Sequence, residues 1–292
     1  MKILINEGDG GLCIRDFLRS RLQMSTRCLV FLKSEVGRIT VNGVPKTVRH
    51  ILSPGEELCL RLGEGESDGM PLPAQDKLPF AILAYDDWFL AVNKPAGMPT
   101  HQSFHHYGDT LADAIIAACG RPVVVHAITR LDQDTSGVVL LARHRLAAGF
   151  FGRAMANGEF EKIYYAITER PPTPRAGRMT DYIAREGESI IRRTVVPAGA
   201  GDLAITDYET VSERPGRALL RLSPRTGRTH QLRVQLSSRD LPIVGDDFYG
   251  GSLAMPRSAL HAARLSFPHP AGGCVTVEAP LPPDMEQYYH EV

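Results

Sequence analysis

No stretch of this 292-residue chain approaches the ~20 consecutive apolar residues that a membrane-spanning helix requires. Its opening, MKILINEGDG, has no long apolar run after Lys2, so no signal peptide is expected. Cysteine is scarce and scattered: Cys13, Cys28, Cys59, Cys119 and Cys274 form no CxxC pair. That argues against a zinc ribbon and against a disulfide framework, and for a reducing compartment, the cytoplasm by default. Internal repeats and low-complexity tracts are missing too. Net charge is also absent, with 33 basic residues against 33 acidic ones.

The hydrophobic and charged shares, 43% and 23%, are those of an ordinary soluble globular protein. The length suffices for one large domain with a sizeable core and one small one. The zero net charge hides an asymmetry. Residues 1–62 hold ten Lys or Arg against six acids, a balance of +4 that leaves −4 for the rest. A basic head on a mildly acidic body suits a polyanion-binding appendage, although a solvated basic face gives the same count.

The head, residues 1–62, reads as a small α/β unit of two short helices and a hairpin. GLCIRDFLRSRL puts Leu12, Phe17, Leu18 and Leu22 roughly on one face and leaves Arg15, Arg19 and Arg21 on the other. MSTRCLVFLKSEVG offers Ser25 as an N-cap and Gly37 as a stop, with Arg27 and Lys33 between them. GRITVNGVPKT alternates around Asn42-Gly43, a strong hairpin signal. A linker rich in Gly, Glu, Ser and Pro is expected over 63–78, and a larger domain over 79–292. There the pattern predicts strands at 81–85, 89–93, 138–142, 161–168, 203–211, 217–222 and 232–236. Val123–Val125 reads as a further buried strand. Helices are expected over 110–119 and 145–157, each stopped by a glycine. Pro171, Pro172 and Pro174 suggest an excursion or insertion. The fold class is α+β, with a large, mainly antiparallel mixed sheet flanked by helices and loops.

Chemistry concentrates in four segments where polar and glycine residues interrupt apolar surroundings: 92-VNKPAGMPTH-101, 129-TRLDQDTSG-137, 162-KIYYA-166 and 224-PRTGRTHQLR-233. Asp132 stands on a loop between two apolar runs, where a rigid frame can aim a reactive group. Arg225, Arg228, His230, Gln231 and Arg233 fall within nine residues. Such density is costly to bury without partners, and a pocket for a polar, planar or phosphorylated ligand would supply them.

Taken together, these segments resemble the RluA-type pseudouridine synthases, whose motif reads roughly His-Arg-Leu-Asp-x-x-Thr-Ser-Gly. NKPAG, KxYxA, TGRTHQLR, 243-IVGDDFYGG-251 and 260-LHAARLSFPHP-270 follow in the family order, and the similarity covers residues 79–283. The head is similar to the small RNA-binding module of ribosomal protein S-four. Thr129 departs from the pattern, standing where the family usually has histidine.

The resemblance implies an isomerase that detaches a uracil from its ribose, turns it and rejoins it through carbon. No redox step and no group transfer to another molecule occur, so no cofactor is required. Asp132 would supply the essential carboxylate, either adding to base or sugar or removing a sugar proton. A neighbouring cation should keep it ionised, and the resemblance assigns that role to Arg228. Tyr164 would stack on the uracil or act as an acid or base near its carbon, with Lys162 bracing the site. A uridine in a stem must flip out to be reached, and Arg130 is the candidate to fill the space it vacates. His230 and Gln231 read as structural hydrogen-bonders. His101 and His105 have helical spacing, but Pro99 suggests a loop and no carboxylate completes the set, so no metal is expected.

RNA is the expected partner, large-subunit ribosomal RNA first and transfer RNA second. Arg130, Lys162, Arg15, Arg19, Arg27 and Lys33 are the candidate contacts, and the chain is expected to act as a monomer. A non-catalytic RNA-binding or assembly protein is the rival from another class, set against it by the joint presence of Asp132, Tyr164 and Arg228. A metal-dependent phosphoesterase is a remote third.

Overall fold

The computed structural model describes residues 2–290 except 23, 25, 62–68, 103–105 and 190, and nothing of the Arg27 side chain. Ser25, the expected N-cap, His105 and most of the glycine-rich part of the linker lie outside the described residues.

The head is built as β1 (Lys2–Leu4), α1 (Ile14–Ser20), α2 (Thr26–Lys33), β2 (Ile39–Val41), β3 (Val44–Pro45) and β4 (Glu57–Leu60). Its antiparallel sheet runs β1-β4-β2-β3. Asn42 and Gly43 take positive φ (48° and 79°), the geometry of the expected hairpin turn. Ile14, Phe17 and Leu18 of α1 are buried and Arg15 and Arg19 exposed, as the helical period requires. The second helix ends at Lys33, short of the glycine expected to stop it.

The large sheet collects β5 (Ile82–Tyr85), β6 (Phe89–Lys94), β7 (His126–Ala127), β8 (Ser136–Ala142), β9 (Glu161–Thr168), β10 (Ala176–Arg185), β11 (Arg193–Val196), β12 (Asp202–Arg214), β13 (Arg217–Pro224), β14 (Leu260–Pro268) and β15 (Cys274–Glu278). Its order is β11-β10-β12-β13-β9-β14-β8-β6-β5, with β15 added to β14 and β7 to β8. Every pairing is antiparallel except β14 with β8. Between the strands lie α3 (Leu111–Cys119), α4 (Arg145–Ala156), α5 (Gln231–Ser237) and α6 (Pro283–His290). Thr110 and Asp113 cap α3 reciprocally, and Gly120 closes it at φ 66°.

Alternation along the strands separates two cores. Phe89, Ala91, Val138 and Leu140 point to one face, where α4 and the buried residues of the head join them in a continuous apolar cluster. Arg153 of α4 donates to the Leu22 carbonyl at 3.0 Å, so head and body are packed together. Leu90, Val92, Val139 and Leu141 point to the other face, under α3 and Leu131. Farther along that face α5 and α6 cover β9 and β13. Tyr164 packs against both of these clusters and so lies at the boundary between them.

Two expected strands are corrected. Residues 123–125 form no strand; only His126 and Ala127 pair with β8, opposite Ala142 and Leu141 at its end, so that 123–125 lie beyond the last residue of that strand. Leu232–Leu236 is the helix α5. Its alternating Gln231, Arg233 and Gln235 are not a solvent face but are buried, each with a side-chain partner.

Candidate active site

Asp132 sits on the loop between β7 and β8, and the loop is fixed almost residue by residue. The Thr129 hydroxyl accepts the Leu140 N–H at 2.8 Å. Thus the residue that departs from the family pattern serves as a backbone tie to β8. Thr100 Oγ1 accepts the Leu131 N–H and donates to the Leu131 carbonyl, at 3.2 and 2.9 Å. Fully buried Lys94 donates through Nζ to the carbonyls of Pro95, Met98 and Gln133 at 2.8, 2.7 and 2.9 Å. Burial pushes its ammonium down to about 7, against the pull of Asp134 and Asp132. The Thr135 N–H closes a turn onto the Asp132 carbonyl at 3.2 Å.

Ser136 and Gly137 anchor the far end. Ser136 Oγ lies 2.9 Å from His261 Nδ1, and His261 Nε2 faces the Ala279 carbonyl at 3.2 Å. A carbonyl only accepts, so Nε2 carries the hydrogen and Nδ1 accepts from the serine. Burial holds this imidazole neutral, its pKa pushed down to about 4. Gly137 has φ 117°, and a Cβ there would fall 2.2 Å from the Ala262 carbonyl oxygen. Only glycine lets β8 approach β14 so closely at this turn.

The Asp132 side chain is 30% exposed, open to a ligand rather than sealed in the core. Its cation comes from α5: Arg233 Nη1 lies 3.5 Å from Asp132 Oδ2. Arg233 Nε and Nη2 form a two-point pair with Asp246, both at 2.7 Å, and the Asp246 carboxylate is fully buried. Burial opposes the guanidinium charge, but Asp246, with Asp132 and Tyr249 adding, shifts the net balance upward. The guanidinium carbon also stands 5.0 Å over the Tyr249 ring.

Arg228, expected in this position, is exposed and donates to the Leu203 carbonyl at 3.0 Å. That expectation is corrected: Arg228 belongs to the turn before α5, whereas Arg233 lies within the helix and is carried to the carboxylate.

His230 begins α5 in the left-handed region, φ 55°, uncommon for a non-glycine residue. Its Nε2 is 4.0 Å from Asp132 Oδ2 and its Nδ1 is 2.8 Å from Tyr249 Oη. Tyr249 Oη accepts the Arg193 N–H at 3.0 Å, which leaves its own hydrogen for Nδ1. The Nε2–H then faces Asp132. Burial lowers the His230 pKa, with Asp132 opposing, so the ring is neutral near pH 7.

Tyr164 lies on β9, across from Ala262 of β14, which in turn pairs with Gly137. The register therefore sets its ring beside the Asp132 loop. Burial first, then the Asp132 charge, raises its phenol pKa. Lys162, two residues earlier on the same face, is partly buried, which lowers its pKa. Its Nζ lies 3.6 Å from where a Gly227 side chain would begin. Gln231 is saturated, accepting from Thr226 Oγ1 and the Arg228 N–H while donating to Ile205 O and Thr206 Oγ1.

Arg130 is exposed beside the loop with no hydrogen-bond or ion-pair partner among the described residues. Arg15, Arg19 and Lys33 are exposed on the head, and Arg15 is paired with Asp16 at 3.0 Å. The sequence reading gave no role to Asp246, Tyr249, Thr100 or His261. Asp246 and Tyr249 fall within 243-IVGDDFYGG-251 and His261 within 260-LHAARLSFPHP-270, segments that follow the family order but whose individual residues carried no assigned role. Among the described residues no group of three or more His, Cys, Asp or Glu is arranged to hold a metal ion, and no helix is long and apolar enough to cross a membrane.

A reachable carboxylate braced by a buried arginine, with an aromatic ring beneath it, defines a site for chemistry on a planar, polar ligand. Residues 88–238 match the family described as RNA pseudouridylate synthase. This chain belongs to that family, within its RluA-like branch, and is an RNA-modifying isomerase. It is 34% identical over 271 residues to the uncharacterized RNA pseudouridine synthase YjbO of Bacillus subtilis, covering 91% of this chain and 94% of that one. The ribosomal large subunit pseudouridine synthase D of Zymomonas mobilis is 33% identical over 241 residues, 74% of this chain and 75% of its own. Among solved structures, human RNA pseudouridylate synthase domain containing 4 superimposes with a TM-score of 0.60 at 28% identity. That match covers 72% of this chain and 91% of the human one.

Proposed function

We propose that Asp132 is the carboxylate that drives uridine isomerisation, acting on a nucleotide flipped out of structured RNA. The observation that carries the reading is the Asp132 side chain, exposed to the cleft yet braced at 3.5 Å by Arg233 on a loop tied to three other elements. The reaction breaks the bond between ribose C1′ and uracil N1 and forms one between C1′ and C5. The C5 proton leaves and N1 gains one, so atoms balance without a second substrate. Asp132 would either add covalently or remove a sugar proton. In both routes it must be ionised when it acts, and the adjacent guanidinium favours that form. Tyr164, held as the neutral phenol by burial and by Asp132, suits stacking on the loosened uracil better than service as a phenolate base. Arg130, exposed and without a hydrogen-bond or ion-pair partner among the described residues, would enter the gap left by the everted base.

Large-subunit ribosomal RNA is the substrate class favoured by the name of the relative from Zymomonas mobilis, with transfer RNA second. The head, packed on the α4 face as an S-four-like module, would hold flanking RNA through Arg15, Arg19, Arg27 and Lys33. The protein would act as a cytoplasmic monomer. Mapping pseudouridine across total RNA of a deletion strain tests this. At least one ribosomal uridine should lose its mark and regain it with the parent gene but not with Asp132→Asn. An unchanged map would overturn the reading.

A further inference from the structure

The two oxygens of the Asp132 carboxylate have different surroundings. Oδ2 faces Arg233 Nη1 at 3.5 Å and His230 Nε2 at 4.0 Å. Oδ1 has no hydrogen-bond or ion-pair partner among the described residues. Arg233 is already held in place by Asp246 and supplies the positive charge. His230 is the neighbour that the ion pair leaves unexplained.

Its ring is constrained in three ways. The backbone stands at φ 55°, strained for a side chain of this size, and such strain collects at functional sites. Phe248 and Tyr249 meet the ring edge to face, with centroids 6.0 and 5.6 Å away. The third constraint is a chain of donors. The Arg193 N–H donates to Tyr249 Oη at 3.0 Å, and the Tyr249 hydroxyl donates to His230 Nδ1 at 2.8 Å. Burial favours the neutral imidazole, so its one hydrogen is on Nε2, the nitrogen that faces Asp132. The chain runs in one direction and ends at Oδ2. A gap of 4.0 Å is too long for a hydrogen bond in the free protein. Contacts of this kind tighten when the substrate enters.

Resting on the reading of Asp132 as the reacting carboxylate, we propose that His230 is a positioning residue. With RNA bound, its Nε2–H closes onto Oδ2, so that two donors hold this oxygen and Oδ1 is the one presented to the nucleoside. Arg233 alone leaves the carboxylate free to turn about its Cβ–Cγ bond. A second donor on the same oxygen, from another direction, fixes its plane. Tyr249 acts one step further back, by setting the tautomer.

The test is single-turnover release of tritium from RNA labelled at uracil C5 and taken from a strain lacking the protein, with the full-length protein in excess. Two substitutions separate positioning from a structural role. Asparagine tolerates positive φ, and its amide overlays the Nδ1 side of an imidazole. His230→Asn therefore keeps the backbone and the reach to Tyr249 but places nothing at the Nε2 position. Glutamine suits the backbone less well, and its amide N–H reaches the Nε2 position. A structural role ranks Asn above Gln, and positioning reverses that order. His230→Asn should lose about 10–100-fold in rate at saturating protein, the weight of one hydrogen bond to a charged group, with the half-saturating protein concentration unchanged. His230→Gln should recover most of that loss. Asn at the parental rate, or Gln no faster than Asn, overturns the proposal. Should His230→Gln fail to fold, His230→Gly with added imidazole decides, since glycine takes positive φ freely: a rate restored by imidazole supports positioning, and one not restored overturns it. A parent protein that releases no tritium, or an Asp132→Asn variant that releases as much as the parent, overturns instead the assigned reaction on which the proposal rests.

Discussion

Asp132 receives its neighbouring positive charge from within a helix, and that origin sets which substitutions matter. Arg233 spends two nitrogens on Asp246 and turns a third toward Asp132. Arg233→Gln strands the fully buried Asp246 carboxylate, a cost of about 3–5 kcal/mol in stability. It also removes a charge poised at the reacting centre, for a further loss of roughly 10²–10³ in kcat. Arg228→Gln, by contrast, should leave kcat unchanged, because its side chain donates to the Leu203 carbonyl and, among the described residues, makes no contact with Asp132. Single-turnover rates for the two variants check this, and the reverse ranking would restore Arg228 to the site. Tyr164 makes an equally direct case. Its hydroxyl has no hydrogen-bond partner among the described residues, and its ring is what packs. Tyr164→Phe should therefore stay within about tenfold of the parent rate. A fall of roughly 10²–10⁴ would instead mark proton transfer through the phenol.

Among the elements, the catalytic loop depends on β8 and β14 meeting at Gly137. A methyl group there meets the Ala262 backbone, and φ 117° is strained for any side chain. Gly137→Ala should cost about 1–3 kcal/mol and lower isomerisation beyond that loss, since Ser136 and Asp132 share the displaced loop. Denaturant midpoints with matched rate measurements check it, and a variant with parental values in both would show that the close approach is dispensable.

The elements also show what could be read in advance. Helices α3 and α4 carry glycine stops and a capping residue, and β9 is bounded by breakers, so their limits were legible locally. Helix α5 was not, because Leu232, Val234 and Leu236 alternate with polar residues as in a strand. What decides the matter is tertiary: Asp246, Thr206 and Asp181 supply buried partners for Arg233 and Gln235. The same cause hid the Asp132 partner. The density of polar groups in 224–233 announced a site, and the choice among its arginines awaited the helix. An ordered set of motifs singled out Asp132, Tyr164 and Arg130 in the sequence, and the fold brings the Asp132 loop and Tyr164 together.

For the whole molecule, the two faces of the large sheet divide the labour. The head is packed on the α4 face, and the Asp132 cleft opens on the other. An RNA touching both must pass around the sheet. Arg15, Arg19 and Lys33 substituted together by Gln should then reduce the salt slope of RNA binding by about 2–3 and leave the single-turnover rate at saturation intact. An unaltered slope would mean that the head does not meet RNA.

Stability has its own pH signature. Burial pushes His144 and His261 down to about 4 each. The unfolded chain takes up protons on these imidazoles near pH 6.5, while the folded chain resists until about pH 4. Their stabilising contribution is thus present above pH 6.5 and lost as pH falls through that window, roughly 3 kcal/mol for each ring. The carboxylates held low by their partners, Asp86, Asp207 and Asp284, act below it. Denaturant midpoints from pH 7.5 to 4 should fall steadily, and a flat profile would contradict the neutral buried rings.

Release of tritium from RNA labelled at uracil C5 reads the central claim most directly, because the label leaves only when C5 is bonded to ribose. The purified parent protein should release label from large-subunit ribosomal RNA. Asp132→Asn, nearly isosteric and equally able to bind RNA, should release none above background. Undiminished release by that variant would remove Asp132 from the chemistry and with it the account of this site.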